Sequence, residues 1–422
     1  MGFFIDTLKG SFRIAQTTSV LAKTGTKWLV GQRPPNPKLL RNIFEELGAT
    51  YIKLGQFIAS SPTFFPKDYV EEFQNCLDKT KPFPFSVARK IIEKELGKSL
   101  SEVFSYVDPV PLASASIAQV HAAKLITGED VVIKIQKPGV ENVLLTDLNF
   151  LYVSARVIEY LAPKLSWTSM SGVVEEIQRT MMEECDFYKE ANNLKEFNAF
   201  LKDTENEDVV VPKVYEQASA RKVLTMERFY GVSLTDLDTI RKYCDDPERT
   251  LITAMNTWFS SLTKCRFFHA DVHAGNLMVL ENGKIGFIDF GIVGSISPGA
   301  WEAVSDFMTS IMIGDFNGMA DAMTRIGVTD KNVDANDLAN DLKRVFNKLD
   351  VMVPDTSAMS FQGEDDINSI LMDMVKVGED NGIHFPREFA LLLKQFLYFD
   401  RYVHVLAPEL DMFVDDRLNM LH

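Results

Sequence analysis

Between residues 269 and 291 the chain gathers residue types that the transfer of a phosphoryl group requires. His269-Ala270-Asp271-Val272-His273-Ala274-Gly275-Asn276 is followed by Ile288-Asp289-Phe290-Gly291. Asp271 and Asn276 stand five positions apart, and an Asn282-Gly283 turn between two apolar runs separates them from Asp289. One carboxylate can accept or orient the proton of an attacking nucleophile. An amide oxygen and a second carboxylate can hold the metal ions that neutralise a triphosphate. Both are hard oxygen ligands, as Mg²⁺ prefers. The set therefore makes Asp271 the candidate catalytic carboxylate, and Asn276 and Asp289 the candidate metal ligands. Either tripeptide alone is a weak signal, but the ordered set with its gap and hairpin is a strong one.

The same order of His-x-Asp, Asn and Asp-Phe-Gly occurs in protein kinases, which also need an upstream lysine on a strand. Val131-Val132-Ile133-Lys134 supplies it, with Lys134 as a point charge for the α- and β-phosphates. A strand-end lysine by itself is usually a solvated edge residue. The downstream set favours the functional reading. A helical glutamate should pair with Lys134, and the candidates are Glu183, Glu184 and Glu190. The long gap before them predicts a helical insertion. Asp186 and Glu190, four apart, share one helix face. No Gly-x-Gly-x-x-Gly precedes Lys134. In its place stands Pro111-Leu112-Ala113-Ser114-Ala115-Ser116-Ile117-Ala118-Gln119-Val120. Small residues let backbone N–H groups approach phosphates, but Ala and Ser lack the freedom of Gly at φ > 0, so a stiff loop is expected.

The elements that must position these residues follow from pattern. Residues 38–108 have apolar residues at helical spacing, and residues 117–136 read as strand, turn, strand. Residues 141–202 return to helix. Val209-Val210-Val211 and Val223-Leu224-Thr225-Met226 read as strands, and residues 232–268 as helix. Residues 276–280 and 284–288 form a hairpin whose Asn-Gly predicts a two-residue turn. From residue 298 onward the pattern is mostly helical.

Here the chain resembles the UbiB/AarF family of atypical kinases, proteins tied to ubiquinone biosynthesis. Lys53-Leu54-Gly55-Gln56 matches the family's Lys-x-Gly-Gln motif. Ala113-Ser114-Ala115-Ser116 matches its alanine-rich loop, with one Ser where Ala is common. Glu184-Cys185-Asp186, followed by Glu190-Ala191 and Asn193, matches its Glu-x-Asp motif. Val272 and Ala274 replace two prolines usual in the catalytic stretch, while every polar ligand remains. The resemblance runs from about residue 40 to about residue 410.

That resemblance implies an α+β, two-lobed protein-kinase-like fold with a small β-rich N-lobe, a helical C-lobe and a helical N-terminal extension. Its boundaries would be a basic amphipathic segment over 1–36, the extension over 37–108, the N-lobe with its insertion over 109–230 and the C-lobe over 231–422. It also implies roles. Glu190 would pair with Lys134. Ala113, Ser114, Ala115 and Ser116 would cover the nucleotide, and Met226-Glu227-Arg228-Phe229 would receive adenine, with Met226, Glu227 and Phe229 as contacts. Lys53 and Gln56 would project into the pocket where a protein substrate would otherwise enter, and Glu184 and Asp186 would hold the extension near the phosphates. The implied cofactors are ATP and Mg²⁺. The implied activity is that of an ATPase or a small-molecule or lipid kinase serving isoprenoid-quinone or related lipid metabolism.

Composition narrows the surroundings. The 422 residues are 46% hydrophobic and 24% charged, which excludes a disordered or collagen-like chain. The net charge of −15 argues against a nucleic-acid partner, which needs a basic stripe. Cys76, Cys185, Cys244 and Cys265 are scattered without a Cys-x-x-Cys pair, as expected of buried thiols in a reducing cytosol. No apolar run reaches the length of a membrane span, and Met1-Gly2-Phe3-Phe4-Ile5-Asp6 lacks a basic signal region. A cytoplasmic protein is expected. Residues 1–44, however, set Lys9, Arg13, Lys23, Lys27, Arg33, Lys38 and Arg41 against the single acid Asp6. Phe4, Ile5, Leu8, Phe12 and Ala15 lie there at helical spacing. Residues 1–31 are thus either a helix for an anionic membrane surface or a packed helix with a solvated basic face. Two rivals to the enzyme remain at this level. One is a nucleotide-binding scaffold that presents a lipid without transferring phosphate. The other is a metallohydrolase on His269, Asp271 and His273, whose histidines have metal spacing only if helical.

Overall fold

The computed structural model of the chain describes residues 36–59, 67–73, 81–161, 170–234, 236–329, 333–350, 373–374, 376–378, 380–410, 412 and 415–418. Residues 1–31, with their membrane-surface reading, lie outside the described residues. In chain order the helices are α1 (Asn36–Leu47), α2 (Ala49–Ala59), α3 (Lys67–Phe73), α4 (Phe85–Leu96), α5 (Leu100–Val103), α6 (Val140–Leu161), α7 (Met170–Glu184), α8 (Phe187–Asp203), α9 (Leu237–Ile240), α10 (Pro247–Lys264), α11 (Pro298–Ile313), α12 (Phe316–Ile326), α13 (Ala335–Asp350) and α14 (Arg387–Leu406). The strands are β1 (Phe104–Ser114), β2 (Ala118–Leu125), β3 (Asp130–Gln136), β4 (Val209–Val210), β5 (Val223–Glu227), β6 (Gly231–Ser233), β7 (Phe268–His269), β8 (Leu277–Leu280), β9 (Ile285–Phe287), β10 (Val293–Gly294), β11 (Val328–Thr329) and β12 (Ile383–His384). They make an α+β, kinase-like fold of two compact units. The first draws on residues up to Ala191 and on Lys213–Arg228, the second on Asn192–Pro212 and on Phe229 onward.

The first unit is built on an antiparallel sheet in the order β1-β2-β3-β5. Side chains alternate along a strand, so β3 presents Val131, Ile133 and Ile135 to one face and Val132, Lys134 and Gln136 to the other. The first set is fully buried with Ala88 and Ile92 of α4, Phe104, Val107 and Val223. Lys134 therefore faces away from α4, on the side where the chain returns as α8. Gln119 fastens the entry to α4, since its amide accepts from Phe83 N–H at 2.9 Å and donates to Phe83 C=O at 3.2 Å. The inserted helices α6 and α7 close a separate core of Val140, Leu144, Leu148, Ile177, Met181 and Cys185, to which Ile117 and Leu54 add. The Cys185 thiol is pushed up to about 12 by that burial and by Glu184, so it stays protonated. Cys244 and Cys265 are only half-buried, against the expectation of buried thiols.

The second unit holds the sheet β4-β9-β8-β6, in which β4 and β9 run parallel and the other pairs antiparallel. Its core centres on Trp258 of α10, which meets Phe259, Phe268, Phe396 and Phe399 at centroid distances of 5.3–5.9 Å. Trp258 Nε1 donates to His269 C=O at 2.8 Å, so the polar handle of the largest core side chain grips the chain just before Asp271.

Three local expectations are corrected. Helix does not continue to residue 108. After the single turn of α5, β1 starts at Phe104. Register shifts between Val107 and Pro111 and between Pro111 and Ala113 break the strict alternation that would have marked it as a strand. The helix expected over 232–268 is in fact the single turn of α9 and then α10, which begins at Pro247. Asp246 caps it by accepting from Arg249 N–H, and Pro247 costs the first turn no hydrogen bond. The 276–288 hairpin has a three-residue loop instead of a two-residue turn. Gly283 N–H donates to Leu280 C=O, Gly283 lies at φ +79°, and Leu280 N–H reaches Lys284 C=O.

His121 ties this packing to pH. It is buried on β2, with Nδ1 donating to Asp108 C=O at 2.7 Å and Nε2 accepting from the Gln119 amide at 2.7 Å. Burial lowers its pKa below the ordinary 6.5. The unfolded chain therefore binds the proton more readily. Stability is full above about pH 6.5 and is lost as the pH falls through the lowered folded value. Urea midpoints at about pH 7.5 and about pH 5.5 should show the drop, and His121→Gln should reduce it.

Candidate active site

In the first unit Lys134 Nζ lies 3.0 Å from Glu190 Oε1 and 2.9 Å from Glu190 Oε2. The pair is sheltered, the lysine side chain being 14% exposed and the glutamate 3%. β3 is held between β2 and β5 through Val120 and Leu224, so the lysine is fixed by the sheet. Glu190 sits in the first turn of α8, and Phe187 from the same turn places its ring 5.5 Å from Nζ. Gln136, two residues beyond Lys134, donates to Cys185 C=O at 2.8 Å and ties β3 to the turn before α8. Of the other candidates, Glu183 pairs instead with Lys189 at 3.5 Å on the surface. Glu184 ends α7, and Asp186 Oδ1 accepts from Tyr188 N–H at 3.1 Å at the entry to α8.

Ala113 and Ser114 end β1, and Ala115 and Ser116 form the turn to β2, closed by Ala115 N–H to Ala118 C=O at 2.8 Å. Ser114 Oγ is buried with no hydrogen-bond partner among the described residues. An orphaned hydroxyl at the tip of a small-residue turn suits an incoming phosphate oxygen. Lys53 and Gln56 lie one turn apart on α2. Between them Leu54 packs on the cluster that contains Ile117, so α2 stands beside this turn. Met226 is buried on β5 opposite Val132, and Glu227 ends the strand with its N–H on Lys213 C=O at 2.8 Å.

In the second unit the Asp271 loop is irregular and is held by side chains. His269 is fully buried. Its Nδ1 accepts from Asp271 N–H at 3.1 Å and its Nε2 faces Ile288 C=O at 3.0 Å, which assigns the Nε2–H tautomer. Burial lowers its pKa and keeps it neutral. Both ring nitrogens are thus committed to backbone, which removes His269 as a metal ligand and with it the metallohydrolase reading. Asn276 Nδ2 donates to Asp271 C=O at 2.9 Å. That commits the amide nitrogen and turns the oxygen, a hard donor, to the other side. Asp289 has φ +59°, a left-handed conformation rare outside glycine, and its Oδ1 accepts from Gly291 N–H at 3.3 Å. Such strain is held by surrounding packing. Here Phe290 is fully buried against Phe197 at 4.9 Å and His269 at 4.6 Å, and Asn193 Nδ2 donates to its C=O at 3.0 Å. Phe229 lies against β9, where only Gly286 leaves room, since a Cβ there would sit 2.9 Å from the Phe229 ring.

The donor set fits Mg²⁺. Among the described residues no group of three or more His, Cys, Asp or Glu side chains is arranged to hold a metal. One carboxylate and one amide oxygen are what an ion needs that takes its remaining ligands from substrate phosphates and water.

Helical spacing marks α14 as a helix but not the three residues it brings to the Asp271 loop. Lys394 Nζ lies 2.9 Å from Asp271 Oδ1. Gln395 accepts from Val272 N–H at 2.9 Å and donates to Ala270 C=O at 2.8 Å, and the Tyr402 hydroxyl donates to Val272 C=O at 2.7 Å. These residues sit in an amphipathic run that reads as ordinary C-terminal helix, and no local pattern marks them.

A sheet that offers a strand lysine to a helical glutamate, with an Asp-Asn-Asp set in a second, mostly helical unit, defines a protein of kinase-like class. The ABC1 atypical kinase-like domain matches residues 75–323, and the chain belongs to that family. It is 50% identical to an uncharacterized chloroplastic aarF domain-containing protein kinase of Arabidopsis thaliana, over 91% of this chain and 74% of that one. It is 30% identical to a probable protein kinase UbiB of Pseudomonas fluorescens, over 88% of this chain and 69% of that one. A solved Mycobacterium tuberculosis protein in complex with erythromycin shares the fold at a TM-score of 0.52 and 22% identity, covering 97% of this chain and 99% of that one. Among the described residues no helix is long and apolar enough to cross a membrane.

Removing only the cation of the sheltered pair strands a buried carboxylate. Lys134→Met is expected to cost about 3–5 kcal/mol of unfolding free energy in urea. Adding Glu190→Gln should recover most of that loss.

Proposed function

We propose that the protein is an Mg²⁺- and ATP-dependent atypical kinase or ATPase of the UbiB type. The Lys134–Glu190 pair carries this reading, because a bidentate, sheltered ammonium on a central strand is costly to maintain for stability alone. Lys134 binds the α- and β-phosphates and Glu190 keeps its ammonium aimed. The Ala113-Ser114-Ala115-Ser116 turn lends backbone N–H groups and the Ser114 hydroxyl to phosphate oxygens. Met226, Glu227 and Phe229 receive adenine. Asn276 Oδ1 and Asp289 hold Mg²⁺, which supplies charge neutralisation of the phosphates when bound. Asp271 orients the acceptor and takes its proton. Lys53, Gln56, Glu184 and Asp186 form the gate that excludes a protein substrate. The acceptor is water or a small molecule, with an isoprenoid-quinone precursor or another lipid the favoured class, at a membrane surface reached through residues 1–31. The kinase names of the UbiB and aarF relatives support the kinase part of this reading.

Phosphate release from Mg-ATP, with and without anionic liposomes and a phenol, tests the activity. Turnover should rise with lipid or phenol, stop with EDTA and vanish in Asp289→Asn. Asn tolerates the left-handed backbone, so this variant should fold. Tight ATP binding with no turnover under any condition would favour the lipid-presenting scaffold instead.

The membrane reading is tested by flotation with anionic vesicles. The full chain should float and a chain lacking residues 1–31 should not. Equal partition of the two would remove those residues as the contact.

A further inference from the structure

Asp271 is bonded by an ammonium that lies 123 residues away in sequence. Between Asp271 and Asn276 the loop reads Val272-His273-Ala274-Gly275 and supplies no lysine or arginine. His273 Nε2 lies 3.6 Å from Asp271 Oδ2, but this side chain is 44% exposed and its Nδ1 accepts from Gly275 N–H. An imidazole is charged only when protonated. Lys394, by contrast, is 17% exposed, 2.9 Å from Oδ1 and 5.6 Å from the Tyr398 ring.

We propose that Lys394 is a catalytic residue whose ammonium stabilises the phosphoryl group in flight. This rests on the phosphotransferase reading above. Gln395 and Tyr402 already hold the backbone on both sides of Asp271 with three hydrogen bonds, so the shape of the loop does not require an ion pair. The acceptor oxygen must hydrogen-bond Asp271. A cation bonded to the same carboxylate then stands within about two hydrogen-bond lengths of that oxygen, and one attack distance of about 3 Å further from the phosphorus. An ammonium carries three N–H donors on a rotating head and can bond a carboxylate and a phosphoryl oxygen together. In the step itself the bond from acceptor oxygen to γ-phosphorus forms, and the bond from γ-phosphorus to the bridging oxygen breaks. That electron pair leaves on ADP, and the acceptor proton passes to Asp271. Lys394 exchanges no proton. It offsets the negative charge spread over the equatorial oxygens of the transition state.

The test compares wild type, Lys394→Met and Lys394→Arg by phosphate release at saturating Mg-ATP and by the affinities of ATP, of ADP, and of ADP with Mg²⁺ and aluminium fluoride. Lys394→Met should lose about 100-fold in kcat while ATP and ADP affinities stay within about threefold. Lys394→Arg should return to within about tenfold of wild type, since the charge is kept. The aluminium fluoride complex, which mimics the transferred group, should weaken in Lys394→Met alone. Lys394→Gln replaces the Met variant if that one fails to fold. A folded Met variant with unchanged kcat overturns the proposal. So does a loss that Arg does not restore and that leaves the aluminium fluoride complex as tight as in wild type. Wild type that turns over no ATP overturns the reading of the site, and the aluminium fluoride comparison then still decides Lys394.

Discussion

The Asp271 loop has almost no regular secondary structure, yet its backbone lies where water cannot serve most of its polar groups. Every buried N–H and C=O needs a partner, and an unmet one costs about 1–3 kcal/mol. The protein meets this constraint with side chains. Trp258 serves the carbonyl of His269, His269 serves Asp271 N–H, Gln395 serves Ala270 and Val272, and Tyr402 serves Val272 again. Asn276 closes the loop on Asp271 C=O. Much of the second unit can be understood as the scaffold for these bonds. α10 and α14 share an aromatic core because both must approach the same few residues of chain.

Charge in the two units is handled by the same logic. Lys134 with Glu190, and Lys394 with Asp271, are sheltered pairs in which each partner would be costly alone. Such pairs contribute little net stability over an apolar replacement. They do fix the direction of an ammonium, which is what a phosphate site needs. The difference between them is connectivity. Lys134 is set by the alternation of a central strand, and Lys394 by the packing of a late helix.

Asp289 adds a third kind of constraint. A left-handed aspartate is strained, and the bonds around it come from distant elements, with Phe290 buried between Phe197 and His269 and held by Asn193. The residue that precedes the phenylalanine is thereby aimed without any flexibility of its own.

What the sequence alone determined was whatever depends on short-range spacing. Asp271, Asn276 and Asp289 were legible because their intervals and the hairpin between them are local. Lys134 was legible because its β-branched neighbours mark a strand, and the helical insertion before Glu190 because of its length. The family itself was legible from Lys53, Gln56, Glu184 and Asp186. Spacing alone left Glu183, Glu184 and Glu190 open as partners of Lys134, the family resemblance implied Glu190, and the β3 and α8 geometry brings that one within 3.0 Å. Tertiary structure decided that residues 104–108 are strand, because bulges hide the two-residue period. It decided that His269 is a brace and no metal ligand, because only burial reveals that both nitrogens are taken. Above all it brought Lys394, Gln395 and Tyr402 to the Asp271 loop. Nothing in an amphipathic helix says which polar residue faces inward at a site more than a hundred positions away, because that choice is made by packing and has no signature in local spacing.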